Sequence, residues 1–247
     1  MSALAGGQQA MNSARCGPER LLARADVWWL LRDLVGVDRN LQGEVNPQDL
    51  SDLVVAAGLD PQCSQVLGAA LHERDAVSPA ERAMDLTTWA DAATGLDLHE
   101  AAYVRRDRGV ILGDLAAFYR AFGVDPTTQH DRRPDLLATE LEFAGLLSAL
   151  RARAVGEEPD AEAADVTQAA AAAFWGDHLA AWVVLPAARA DFLPAPAWLK
   201  RATDAVGQVA AGLAAAEGWP QPTLEDEGTA QETQVGGECA VAPCGPE

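Results

Sequence analysis

PDLLATELEFAGLLSALRAR, residues 134–153, decides how the rest of the chain is read. Pro134 and Asp135 form a helix start, with the aspartate expected to cap the first turn and favour its positive end. Leu136, Phe143, Leu147 and Leu150 then fall on one face, and Leu137, Leu141 and Ala144 on another. A helix apolar over most of its circumference is stable only among other helices, so this one belongs at the centre of a bundle. The expected fold class is all-α, a single-domain helical bundle.

Working outward, the flanking segments carry helix signals of their own. Pro18 opens a segment in which Leu21, Ala25, Trp28 and Val35 recur at helical spacing. Asn46-Pro47 supplies a cap and a first-turn proline, with Leu50, Leu53, Val54 and Ala57 on one face and Gly58 closing. Asp60-Pro61 starts the next helix, and Ser78-Pro79-Ala80-Glu81 is a capping box. Leu112, Leu115, Phe118, Tyr119 and Phe122 line a helix stopped by Gly123. Asp165 is expected to cap a long helix bearing Phe174, Trp175, Leu179, Trp182 and Val183, after a loop over 156–164. Pro194 and Pro196 precede a final alanine-rich helix ending near Gly218. The division is a loose segment at 1–17, a helical domain at 18–218 and a disordered acidic tail at 219–247.

Composition narrows the function. With 247 residues and 49% apolar content the chain can bury a sizeable core. A net charge of −19 opposes nucleic-acid binding and suits a cationic partner. No apolar stretch is long enough to insert into a membrane, and residues 1–15 lack the core of a secretory signal, so the expected location is the cytoplasm. The cysteines at 16, 63, 239 and 244 make no disulfide framework, and the histidines at 72, 99, 130 and 178 are too dispersed for a metal site. The Cys239/Cys244 pair alone falls short of the four ligands zinc needs. Phosphate loops, nucleophile elbows and zinc-protease motifs are missing, so neither catalysis nor a cofactor is expected. Asp135 and Glu140 read as a helix cap and a network residue rather than a catalytic pair. His178 reads as a hydrogen-bonded core histidine, and Trp28, Trp29, Trp89, Trp175 and Trp182 as core.

Three ordered segments carry a resemblance. Glu100-x-x-Tyr103-x-Arg105-Arg106-x-x-Gly109-x-Ile111-Leu112-Gly113-Asp114 runs into Phe118-Tyr119-x-x-Phe122-Gly123. Pro134-Asp135-Leu136-Leu137-x-x-Glu140-Leu141-x-Phe143-x-x-x-Leu147 follows, then Phe174-Trp175-x-x-His178-Leu179-x-x-Trp182. Together they resemble the TorD/DmsD/NarJ family of redox-enzyme maturation chaperones, across residues 20 to 215 and most closely across 100 to 185. The run ending at Gly123 looks closest to the type II dimethyl-sulfoxide-reductase-group branch. The resemblance implies a chaperone whose partner is the apo catalytic subunit of a molybdenum oxidoreductase of the DMSO-reductase superfamily, held by its twin-arginine leader until cofactor insertion. The leader-binding residues it implies are Tyr103, Arg106, Gly113, Asp114, Tyr119, Asp135, Glu140 and His178. Where the family often has Asp-His, this chain has Asp135-Leu136, so any contact made by that histidine must differ here. A leader joins a cationic pair to an apolar stretch. Asp114 and Asp135 suit its guanidinium groups, and an adjacent groove suits the rest. The alternative is a helical adaptor that binds another folded protein without catalysis.

Overall fold

The computed structural model describes residues 16–36, 46–89, 95–125, 133–156 and 158–222. Residues 1–15 and 223–247, with Cys239, Cys244 and His130, lie outside the described residues. The helices are α1 (Pro18–Val35), α2 (Pro47–Ala56), α3 (Gln62–Asp75), α4 (Pro79–Trp89), α5 (Arg108–Ala121), α6 (Leu137–Ala154), α7 (Ala161–Asp177), α8 (Leu185–Ala190) and α9 (Ala197–Glu217). Single 3₁₀ turns occur at Glu100–Ala102 and Leu179–Ala181. Among the described residues the nearest approach to a sheet is one antiparallel bridge between His99 and Leu136. The fold is all-α, and no helix among the described residues is long and apolar enough to cross a membrane.

Local chemistry sets most of the helix ends. Asn46 accepts from the Gln48 N–H at 2.9 Å and Asp60 from the Gln62 N–H at 2.8 Å. Ser78 and Glu81 bond each other's backbone N–H groups at 3.3 and 3.1 Å, completing the capping box. Gly58, Gly123 and Gly218 take positive φ just past α2, α5 and α9, where a side chain would be strained.

Packing then orders the helices. α6 lies between α1 and α7, while α9 packs on α3, α8 and α1. The interhelical space is filled by Trp28, Leu31, Leu34, Leu141, Leu147, Phe174, Trp175 and Trp182, all 2% exposed or less. Burying side chains of this size contributes roughly 1.5–3 kcal/mol each, against the entropy of ordering them. Trp29 and Trp89 are half-buried. At the α1 end the bundle is clamped by Glu217, the last residue of α9, which receives guanidinium donors from Arg24 and, at 2.8 Å, from Arg151. Trp219 stacks on Trp175 with ring centres 5.9 Å apart, and Trp175 Nε1 donates to the Pro220 carbonyl at 2.9 Å.

Three local expectations are corrected. Asp160, not Asp165, caps α7, accepting from the Ala163 N–H at 3.0 Å. The helix-favouring alanines at 161, 163 and 164 carry α7 a turn further towards its N-terminus. The same helix does not continue to Val183. It ends at Asp177, and His178 leaves helical geometry at φ −125°, ψ −80°. Asp135 does not cap α6: Leu136 occupies the cap position and no side chain bonds there. The Asp135 carboxylate is engaged by Arg133 instead.

Candidate functional site

The site is assembled by the bridge between residues 98–100 and 135–137. The Glu100 N–H donates to the Asp135 carbonyl and the Leu137 N–H to the Leu98 carbonyl, both at 2.9 Å. This pairing sets Glu100 and Asp135 beside the first turn of α6, which carries Glu140. Tyr119, from α5, donates its hydroxyl to the Pro134 carbonyl at 2.8 Å and pins the same segment. Three carboxyl groups thereby enter the interior, since Glu100, Asp135 and Glu140 are each 0% exposed.

A buried carboxylate is tolerable only if ionic or hydrogen-bond partners replace its lost hydration. Arg133 meets Asp135 as a two-point fork, Nε to Oδ1 at 3.0 Å and Nη2 to Oδ2 at 2.6 Å. Arg106 Nη2 donates to Glu100 Oε1 at 2.9 Å and to the Asp177 carbonyl at 3.0 Å. The second Glu100 oxygen faces His178 Nδ1 at 2.9 Å. A carboxylate already held by an arginine accepts from that ring nitrogen, which places the histidine proton on Nδ1. These bonds explain why the chain leaves α7 here. Arg106 takes a terminal carbonyl of the helix, and Glu100 draws the histidine inward.

Glu140 differs from its neighbours. Trp182 Nε1 donates to its Oε2 at 3.2 Å, while Oε1 is buried with no protein partner. Burial first, and the Glu100 charge second, hold this carboxyl well above the usual carboxylate range. With Glu140 neutral, two carboxylates face two guanidinium groups and the cluster balances. Burial also raises the Tyr119 hydroxyl far above its ordinary value.

The eight residues expected from the sequence divide by depth. Tyr119, Asp135, Glu140 and His178 lie in the interior. Tyr103 is half-buried, stacked on Trp182 at 5.7 Å, with its hydroxyl donating to the Asp97 carbonyl at 2.7 Å. Arg106 stands at the boundary with its side chain 35% exposed, and its Nη1 lies 3.7 Å from Asp114 Oδ2. Gly113 and Asp114 are exposed on α5, and a Cβ added at Gly113 would meet nothing within 4 Å. Seven of the eight, from Tyr103 to His178, therefore join one connected network, with Gly113 beside it on the surface. Sequence reading omitted Glu100, Arg133 and Trp182 from the set. Glu100 and Trp182 stood inside the quoted motifs, and the Glu100-x-x-Tyr103-x-x-Arg106 spacing was the available signal.

Along α5 the exposed positions Gly113, Asp114, Ala117, Arg120 and Ala121 form one stripe. The stripe leads from the Arg106–Asp114 pair to a groove of about 1250 Å³ lined by Leu22, Ala121, Phe122, Leu150 and Ala154, among others. Among the described residues no cluster of histidine, cysteine, aspartate and glutamate is arranged to hold a metal ion.

Residues 93–186 match the family model described as nitrate reductase delta subunit. The delta-subunit match covers less than half of the chain, and that part contains every residue of the network, from Glu100 to Trp182. It also contains all three motifs on which the resemblance to the TorD/DmsD/NarJ chaperones rests, and it supports that resemblance. No curated protein matches the chain.

Proposed function

We propose that this protein is a cytoplasmic, non-catalytic chaperone for the catalytic subunit of a molybdenum oxidoreductase of the DMSO-reductase superfamily. It binds the subunit's twin-arginine leader until the cofactor has been inserted, and the type II dimethyl-sulfoxide-reductase group supplies the client. The observation that carries this reading is the coincidence of the delta-subunit match with the Glu100–Trp182 network. The surface chemistry supports it. The leader's arginines lie at Asp114 and the Arg106–Glu100 pair, and its apolar stretch runs along Gly113, Ala117 and Ala121 to the groove. From Gly113 to Ala121 is about 12 Å of helix, the rise of roughly eight residues, so the path suits a short helical segment. Tyr119, Asp135, Glu140 and His178 act from below, fixing the surface that meets the leader.

Asp114 offers the sharper test. Asp135 is buried against Arg133, so replacing it disturbs the fold as well as any surface. The Asp114 side chain is 51% exposed, and Asp114→Ala should leave the urea midpoint unchanged. A twin-arginine leader peptide titrated by tryptophan fluorescence should bind the wild type and bind Asp114→Ala about two- to fivefold more weakly, the worth of one partly exposed ion pair. A wild type that ignores the leader, or an Asp114→Ala variant that binds it unchanged, would remove this surface from the site.

A further inference from the structure

We propose that Arg106 is a resident stand-in for a leader arginine, occupying the Glu100 seat in the free protein and yielding it to an incoming guanidinium. This rests on the leader-binding reading above and deepens it. Glu100 is 0% exposed, and both its oxygens are engaged, one by His178 and one by Arg106. His178 is sealed in the core, its side chain 1% exposed, whereas the Arg106 side chain is 35% exposed. Arg106 is therefore the only one of the two that can withdraw to solvent. When it does, the carboxylate it uncovers already has the geometry of an arginine receptor. The chain's own guanidinium shows this, one nitrogen bridging Glu100 Oε1 and the Asp177 carbonyl at 2.9 and 3.0 Å.

Charge favours the exchange. A cationic peptide that pairs with Asp114 comes close to the Arg106 guanidinium, which lies 3.7 Å from that carboxylate, and the two cations repel. If Arg106 leaves without replacement, Glu100 is stranded as a buried, half-compensated anion, which is strongly unfavourable. Replacement by another guanidinium restores the bonds to Glu100 and the Asp177 carbonyl, and the displaced Arg106, its side chain already 35% exposed, is taken up by water. A lysine is a poorer substitute. Its ammonium is compact and strongly hydrated, and it has no second nitrogen to face Asp114 while the first holds Glu100 and the helix end, as Arg106 Nη1 does at 3.7 Å. The seat thus discriminates arginine from lysine because its contents must be exchanged like for like.

The test uses the full-length protein, a twin-arginine leader peptide and the same peptide with both arginines replaced by lysine. Arg106→Gln removes the competing cation, and it should bind the arginine peptide about tenfold tighter than wild type does, with a smaller gain for the lysine peptide. Wild-type binding that is unchanged or weakened in Arg106→Gln overturns the exchange while leaving the leader reading in place. Failure of the wild type to bind the arginine peptide overturns both. A readout that needs no stable variant is the arginine Nε–Hε NMR spectrum of the wild type. The arginine peptide should move the Arg106 signal to the position of a solvated side chain, and the lysine peptide should not. Binding of the arginine peptide with the Arg106 signal in place would refute the exchange.

Discussion

Replacing Glu140 by glutamine tests the electrostatics of the network directly. Glu140 is 0% exposed, has one oxygen without a protein partner, and shares its cluster with Glu100 and Asp135. Its folded-state value lies well above the ordinary 4.5, for reasons of burial first and neighbouring negative charge second. Below about pH 4.5 the carboxyl is protonated in both the folded and the unfolded chain, and its contribution is fully present. As pH rises past that value the unfolded chain ionises and the folded chain does not, so folding must retain a proton and stability falls. The slope for one such group is about 1.4 kcal/mol per pH unit, until Glu140 ionises in the folded protein too. Glutamine resembles the neutral carboxyl and has no such slope. In urea titrations at pH 5, 6, 7 and 8, the stability of Glu140→Gln relative to wild type should therefore rise by about 1.4 kcal/mol per unit before levelling. Any loss from the unpartnered amide enters as a constant offset, which the pH series removes. Parallel stability curves for the two proteins would show that Glu140 is ionised in the native network, and the charge balance argued for the cluster would fail.

Two further predictions concern the bundle itself. Glu217→Ala leaves Arg24 and Arg151, their side chains 6% and 11% exposed, facing one another without an anion, and should cost about 3 kcal/mol by urea denaturation. A loss below about 1 kcal/mol would mean that the clamp at the end of α9 is not needed. Gly145→Ala sets two effects against each other. Alanine favours the helix by about 1 kcal/mol, but its Cβ would lie 2.4 Å from Trp29 Nε1, which donates to the Glu142 carbonyl at 3.3 Å. Overpacking of that kind costs about 1–3 kcal/mol, so a net loss of roughly 1 kcal/mol is expected. A stabilised variant would show that the indole ring yields freely.

Much of the helical framework was legible because its signals are local. Asn46, Asp60 and the Ser78/Glu81 box each act within three residues, and Gly58, Gly123 and Gly218 end helices through their own backbone freedom. The two-faced apolar pattern of 136–150 placed α6 inside the bundle, and its interior position between α1 and α7 follows from that pattern. Where sequence reading failed, a distant partner had outcompeted the local preference. The capping role of Asp135 was lost to Arg133 and to the backbone bridge with Glu100. The helical pattern through His178 and Trp182 was lost to Arg106, which bonds the Asp177 carbonyl from seventy-one residues away.

The candidate site divides along the same line. The amino-acid sequence alone determined which residue types recur in the three motifs, that the chain is helical, and that His178 is a core histidine. Depth was decided by the tertiary structure. Asp114 and Asp135 look alike as acidic residues near the start of a helical segment, yet one side chain is 51% exposed and the other is sealed. Helical periodicity reports which face a residue occupies, not what lies against that face. The bridge at His99–Leu136 formed between segments with no strand pattern, because two backbone hydrogen bonds suffice once packing has brought them together. That contact sets three carboxyl groups side by side, and only their proximity gives Arg106, Arg133 and Glu140 their distinct roles.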